Sequence, residues 1–213
     1  MKTVKRRYLT AAERKQEILD AAFIEFSAGG FLATSLERIA IRAGISKSGI
    51  YAHYKSKHDI FEDMLLTRLL NEDSRLTSLE LETTQSLPAL IEQHVERRYA
   101  ALGSSQTIGA FRLLIAESGR TPELVQQCAS RLVQKILEVD RQFIEACNRS
   151  NLTRQLVNPD DYLLSGAPAS LWLVLITIFG EQDAPIQVNK IKKLHKKLLL
   201  DSLTGGDPAA TPS

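Results

Sequence analysis

TSLERIAIRAGISKSGIYAHYKSK, residues 34–57, is the stretch whose reading decides the fold. Thr34 is a candidate N-cap, and Glu37 three positions on completes a reciprocal capping box; Ser35 is a rival cap one residue along. Leu36, Ile39, Ala40 and Ala43 recur at i, i+3, i+4 and i+7, an apolar stripe with Glu37, Arg38, Ile41 and Arg42 on the other sides. Gly44 ends that helix, because only glycine takes the left-handed conformation without steric cost, and Ile45 is the expected plug of the turn. Ser46 caps a second, short helix that Ile50 and Tyr54 pack back onto its neighbours. A helix, a glycine turn and a short helix rich in small polar residues describe a helix-turn-helix that places its second helix in the DNA major groove.

The face left over has the chemistry for that role. Lys47 is a donor to guanine or phosphate, Ser48 an adaptable hydrogen-bonder, and Gly49 permits close approach. Tyr51 and His53 are donors to phosphate oxygens. Ser56 caps a third helix whose first turn carries Lys57, with free amides and an ammonium positioned for a phosphate. With the cap residues Thr34, Ser35 and Ser46, these form the expected DNA-binding set.

This combination resembles the DNA-binding domain of the TetR/AcrR family of bacterial transcriptional regulators. The matching residues are Thr34-Ser35, Ile39-Ala40, Ala43-Gly44-Ile45-Ser46, Ile50-Tyr51, His53-Tyr54 and Lys57, over roughly the first quarter of the chain. Tyr54 stands where Phe is commoner in the family, and Asp59 where Glu is commoner. The resemblance implies an all-α fold: an N-terminal three-helix DNA-binding domain, then a C-terminal helical domain for effector binding and dimerisation. It implies a homodimer built through the last two long helices, a double-stranded DNA operator as partner, and a small-molecule effector that releases it.

Charge supports the position of the reader. Before residue 59 eleven basic residues face five acidic ones, about +6, which leaves about −4 for the rest of a chain of net charge +2. The N-terminal MKTVKRRYLT is a basic arm with no apolar segment behind it, hence no secretory signal. Two cysteines, Cys128 and Cys147, make neither a disulfide framework nor a metal cluster, so a reducing cytoplasm is the simplest setting. Five or so turns apart on one helix, they cannot bridge each other, and each reads as a small buried hydrophobe.

The remaining pattern is helical throughout. A first helix starts at Thr10 with Glu13 in a capping box and runs to Gly29-Gly30, its inner stripe Leu19, Ala22, Phe23 and Phe26. The helix from Lys57 toward Leu79 turns Phe61, Met64, Leu65 and Leu69 inward. A loop over 80–87 precedes Pro88, and five helices follow to about Leu203. The longest, about Glu123 to Ser150, would span roughly 40 Å. The expected boundaries are 1–56 for the DNA-binding domain, 57–204 for the effector and dimerisation domain, and 205–213 for a disordered tail.

Tyr162 to Phe179 is uncharged and almost long enough to span a bilayer, but Gly166, Pro168 and the lack of cationic anchors favour a helix buried on every side. No membrane partner is expected. Ile186 to Leu203 places Val188, Ile191, Leu194 and Leu198 on one face and five lysines over the others. Phe111, Phe143 and Trp172 are the candidate walls of an effector pocket, with His94, Arg98 and Tyr99 as polar anchors; ordinary core packing and an exposed face explain the same residues. No Gly-rich phosphate loop, metal-spaced His/Glu pair or nucleophile elbow is present, so no catalytic residue, metal or cofactor is expected. A ligand-responsive dimeric repressor reading a palindromic operator fits these features best; the alternative is an all-helical partner-binding protein without DNA affinity.

Overall fold

Thr10 opens the first helix as its sequence requires: the Glu13 amide donates to Thr10 Oγ1 at 3.2 Å and the Thr10 amide to Glu13 Oε2 at 2.8 Å. The computed structural model describes residues 10–70, 86–153 and 165–204. These form α1 (Ala11–Ala33), α2 (Leu36–Arg42), α3 (Lys47–Tyr51), α4 (Lys57–Leu70), α5 (Leu87–Leu102), α6 (Ser105–Ser118), α7 (Pro122–Arg149), α8 (Ala167–Phe179) and α9 (Val188–Thr204). The basic arm, most of the 80–87 loop, the continuation of α4 toward Leu79, Tyr162 to Leu164 and the tail lie outside the described residues. None of the described helices is long and apolar enough to cross a membrane.

Two compact units emerge. The first comprises the described residues up to Thr67 together with Arg112–Cys128; the second comprises the described residues between Arg68 and Phe111 and from Ala129 onward. The first unit therefore extends past residue 56 and includes the end of α6 and the start of α7.

In the first unit α1 does not stop at Gly29-Gly30 but kinks there, Gly30 taking φ 76° before the helix resumes to Ala33. Two features require glycine at that point. The φ is strained for any L side chain, and a Cβ would stand 2.8 Å from Oε1 of Glu117, a buried carboxylate at the end of α6. Ile18, Leu19, Ala22 and Phe26 fill the core from α1, while Phe23 is only half-buried. From α4 come Ile60, Phe61, Met64 and Leu65, with Leu69 half-buried. Phe26, Phe31 and Phe61 meet with ring centroids 5.1 to 5.8 Å apart, arrangements that add to their burial.

In the second unit α5, α8, α9 and the later part of α7 close around Trp172, Phe143, Ile144, Ile91, Val95 and Leu199. Ser86 precedes a helix with proline in its first turn, where the missing amide costs nothing. On the outer side of α5, Lys192 reaches Glu96 at 2.6 Å, and Lys196 reaches Glu92 and Glu96 at 2.6 and 2.7 Å. Part of the basic face of α9 is thus ion-paired.

Two apolar patterns of this unit are only partly covered within the single chain. The α9 stripe that packs inward is Ile191, His195, Leu199 and Leu203, whereas Leu194 and Leu198 are more than half exposed. The four-residue spacing from Ile191 runs along one side of the helix, and Leu194 and Leu198 begin the adjoining side. Nor is α8 buried all round: Ala169, Trp172, Leu173 and Ile176 face the core, but Leu171, Val174, Ile178 and Phe179 face outward in the single chain.

Candidate functional site

The helix-turn-helix is assembled by local rules that can be checked bond by bond. Ser35, not Thr34, is the N-cap of α2, its hydroxyl accepting from the Arg38 amide at 3.3 Å. The turn is a complete Schellman motif: the Ile45 amide donates to the Ala40 carbonyl at 3.0 Å and the Gly44 amide to Ile41 at 3.2 Å, with Gly44 at φ 66°. No atom lies within 4 Å of a Cβ on Gly44, so conformation alone demands the glycine. Ser46 caps α3 through the Gly49 amide at 3.1 Å.

The resulting surface presents Ser46, Lys47, Ser48 and Tyr51 as exposed side chains, with Gly49 and His53 partly covered. Lys47 is ion-paired to Glu37 across the turn, a contact that raises the lysine pKa through its hydrogen bond and charge. Gly49 has room for a methyl group, its nearest neighbour being Ile45 at 3.5 Å. The fold therefore does not require glycine there.

Two residues of the expected set face the other way. Thr34 is buried, and its hydroxyl donates to the carbonyls of Gly30 at 2.8 Å and Glu25 at 3.0 Å. Lys57 donates to the carbonyls of Phe31, Leu32 and Thr34 at 2.7, 3.4 and 2.8 Å, and its ammonium stands 4.4 Å from the centre of the Phe31 ring. The end of α1 has orphan carbonyls, and a lysine at the start of α4 is the group that satisfies them. Burial lowers the Lys57 pKa. Ser56 does cap α4, accepting from the Asp59 amide at 3.1 Å.

Behind α2, Arg38 and Arg42 converge on Glu25 of α1 at 2.7 and 2.5 Å, and the hydrogen bond from Arg42 leads the interactions that hold this carboxyl below its ordinary range. Tyr54, the departure from the commoner Phe, donates to Asp63 at 2.6 Å.

The candidate effector residues also come together, though differently from expectation. His94 and Arg98 are not on an exposed face. His94 is buried and stacks on Phe143 at 4.1 Å between ring centres, and Arg98 donates to Asp140 of α7 at 2.5 Å. Tyr99 is buried with its ring 5.8 Å from His195 of α9. Trp172 and Phe143 belong to the same core, with Phe111 partly buried against it. Burial, then the charge of Arg98, holds His94 well below its ordinary value and brings His195 down to about 4; burial raises Asp140 against the opposing pull of Arg98.

A model of the bacterial regulatory proteins of the tetR family matches residues 18–64, the span from the α1 core through the helix-turn-helix to α4. The HTH-type transcriptional regulator TtgW of Pseudomonas putida is 34% identical over 132 residues, covering 59% of this chain and 93% of that protein. The chain belongs to the TetR family of bacterial transcriptional regulators. The HTH-type regulator YhgD of Bacillus subtilis (strain 168) is 25% identical over 194 residues, 90% of this chain and 97% of that one. The fold is shared with a TetR-family regulator from Mesorhizobium loti at TM-score 0.67 and 21% identity, over 92% of this chain and 98% of that chain.

This member of the TetR family carries two functional candidates that sequence reasoning passed over. Asp140 lies on the apolar stripe of α7, three residues before Phe143 and seven before Cys147, and His195 lies on the apolar stripe of α9. In both cases the signal was a polar residue at a core position, where burial without a partner is costly.

Proposed function

We propose that this TetR-family regulator acts as a ligand-responsive dimeric repressor whose α3 reads an approximately palindromic operator. The observation that supports it best is the exposed face of Lys47, Ser48 and Tyr51, held out by a turn whose glycine and caps each have a stated structural cause. Lys47 is drawn from Glu37 to a phosphate or a guanine edge, and Tyr51 and His53 donate to phosphate oxygens. Ser35, Ser46 and the first amides of α4 are suited to backbone contacts.

One reader touches few base edges, and a two-fold dimer doubles the contacts while requiring half-sites about 34 Å apart or a multiple of that. The outward apolar residues of α8 and α9 are the surface for pairing, since contiguous apolar area of that kind marks association. An effector held in the second unit releases DNA if it binds the DNA-incompetent arrangement more tightly.

The test is a gel shift with DNA from upstream of the protein's own coding sequence and with a random-sequence library. Binding by the wild type with loss on Lys47→Ala and Tyr51→Ala supports the reading. Binding unaffected by both substitutions would remove α3 as the reader, and failure to enrich any sequence would favour the partner-binding alternative.

A further inference from the structure

Glu37 is the only acidic residue between Thr34 and Lys57, a stretch that also holds Arg38, Arg42, Lys47 and Lys55. Arg38 and Arg42, the other charged residues of α2, turn back to Glu25 of α1, while Glu37 faces outward together with Ile41, one turn on and 79% exposed. The Glu37 carboxylate accepts a hydrogen bond from the ammonium of Lys47, the first residue of α3. Both side chains are about half exposed, and an ion pair of that kind adds little to stability. A carboxylate in the first turn favours α2 through its dipole, but that gain needs no contact with α3. Fold stability thus gives little reason for an anion on the one surface that must meet a polyanion.

The contact decides where the carboxylate goes. Lys47 opens the reading helix, and an oxygen bonded to its ammonium reaches whatever base edge the ammonium reaches. The Lys47 hydrogen bond leads the interactions that hold the Glu37 carboxyl below its ordinary range, so Glu37 meets DNA as an anion. If Lys47 left it for a phosphate, Glu37 would remain beside the same backbone as an unpaired negative charge. At a base edge no charge is stranded. An ionised carboxylate only accepts hydrogen bonds and an ammonium only donates them, so the pair fits a donor and an acceptor lying side by side.

The major-groove edge of a G·C pair has that pattern, with the guanine acceptors N7 and O6 adjoining the cytosine amino donor N4. Lys47 passes to the guanine acceptors and Glu37 takes the amino group, each exchanging one partner for another. An A·T pair sets its single donor, adenine N6, between two acceptors, N7 and thymine O4. A carboxylate there is repelled from both sides.

We infer that Glu37 and Lys47 together read one G·C pair in each half-site, Lys47 donating to the guanine and Glu37 accepting from the amino group of its cytosine. The inference rests on α3 as the DNA reader and adds a specificity-determining residue from α2.

Random-site selection with the full-length wild type should return a strongly preferred G·C pair in each half-site. Glu37→Gln should relax that pair, its preference over A·T falling roughly tenfold or more, because a glutamine side chain also pairs with adenine. Lys47→Ala, selected at low salt, should relax the same pair. Glu37→Gln should also bind random-sequence DNA more tightly, with a salt slope larger by up to about 0.9 per protomer, since the repelling charge is gone and Lys47 is released.

Unchanged base preference in Glu37→Gln, relaxation at different pairs in the two variants, or a relaxed pair that is A·T in the wild-type site would each overturn the inference. So would a loss of affinity equal on all sequences, which marks Glu37 as a support for Lys47 and no more. Glu37→Ala is scored in the same way should Glu37→Gln lose the wild-type helical circular dichroism. A wild-type site in which no G·C pair resists replacement overturns the inference without any variant. If Lys47→Ala and Tyr51→Ala weaken binding while Glu37→Gln changes no preference, the reader stands and this inference falls. If those two variants bind as the wild type does, α3 itself is not the reader.

Discussion

The Lys57 ammonium donates to the Thr34 main-chain carbonyl at 2.8 Å, so the first residue of α4 closes the end of α1. A lysine held by three carbonyls and an aromatic face is a structural clamp for the reader, and its charge is directed inward. Lys57→Met should lower the stability of the first unit by on the order of 1–3 kcal/mol, the range for a lost hydrogen bond to a charged group. The logarithmic salt slope of DNA binding should stay that of the wild type. Thermal unfolding and a salt titration check both; a slope smaller by about 1.8, about 0.9 for each protomer of the dimer, would instead mark Lys57 as a phosphate contact.

Lys47 should behave in the opposite way. It is about half exposed and its only described ion pair is with Glu37, itself exposed, so its removal costs little fold stability. Lys47→Ala should leave the melting temperature within a degree or two and reduce the salt slope of the dimer by about 1.8, about 0.9 for each protomer, if its ammonium meets a phosphate. Gly49→Ala is the companion test. The site has room for the methyl group, and alanine is favoured over glycine inside a helix by roughly 0.5–1 kcal/mol. The protein should be as stable or more so, yet bind DNA more weakly where close approach matters.

Gly30→Ala combines two penalties. Its φ of 76° with ψ of 172° is a conformation essentially confined to glycine, unfavourable for alanine by roughly 1–3 kcal/mol, and the new Cβ would displace the buried Glu117 carboxylate 2.8 Å away. A melting temperature clearly below the wild type is expected. Gly44→Ala carries only the milder cost of a left-handed cap, roughly 1–2 kcal/mol, because nothing lies near its Cβ. Denaturant unfolding should therefore show the larger loss of stability for Gly30→Ala.

How much of this was legible depends on whether the cause was local. Ser46 as a cap, Gly44 as a turn and Thr10 with Glu13 as a capping box are set by residues within five positions, and the chain reads as it folds. Thr34 shows the limit: a threonine before an apolar stripe looks like a cap, but the kink at Gly30 draws its hydroxyl to the carbonyls of Gly30 and Glu25 and passes the cap to Ser35. Lys57 finds its partners more than twenty positions away, beyond the reach of any pattern within one helix. His94 and Arg98 were legible as a pair one turn apart, but their burial depends on Asp140 and His195, which arrive from α7 and α9.

The buried histidines give the second unit a pH response whose sign is fixed. His195 has a folded pKa of about 4 against an ordinary 6.5, because burial, then Arg98, disfavour its charged form; His94 shifts the same way. The unfolded chain therefore takes up protons first as pH falls. The contribution of His195 is full above pH 6.5 and is lost between there and about 4, by at most about 1.4 kcal/mol per pH unit, and His94 adds a loss of the same sign. Arg98, the ring of Tyr99 and the Ser165 backbone face His195, and His94 is coupled to it by charge. His195→Gln should flatten the fall in melting temperature over that range.

The outward face of α8 and α9 is the last element that can be tested separately. Ile178 is 65% exposed, with Leu194 and Leu198 above half, while Trp172, Ile176, Ile191 and Leu199 on the inner sides are nearly sealed. A charge placed on the outer side leaves the inner packing intact. Leu194→Glu and Ile178→Glu should therefore keep the helical circular dichroism of the wild type while halving the mass measured by sedimentation. In a dimer the apolar side chain is removed from water on association, and an unpaired carboxylate there is costly. Operator affinity should fall with the dimer, since each monomer then meets a single half-site, whereas Lys47→Ala should weaken DNA binding with the dimer mass unchanged. The two classes of variant thus separate loss of the reading face from loss of the two-fold arrangement that presents it.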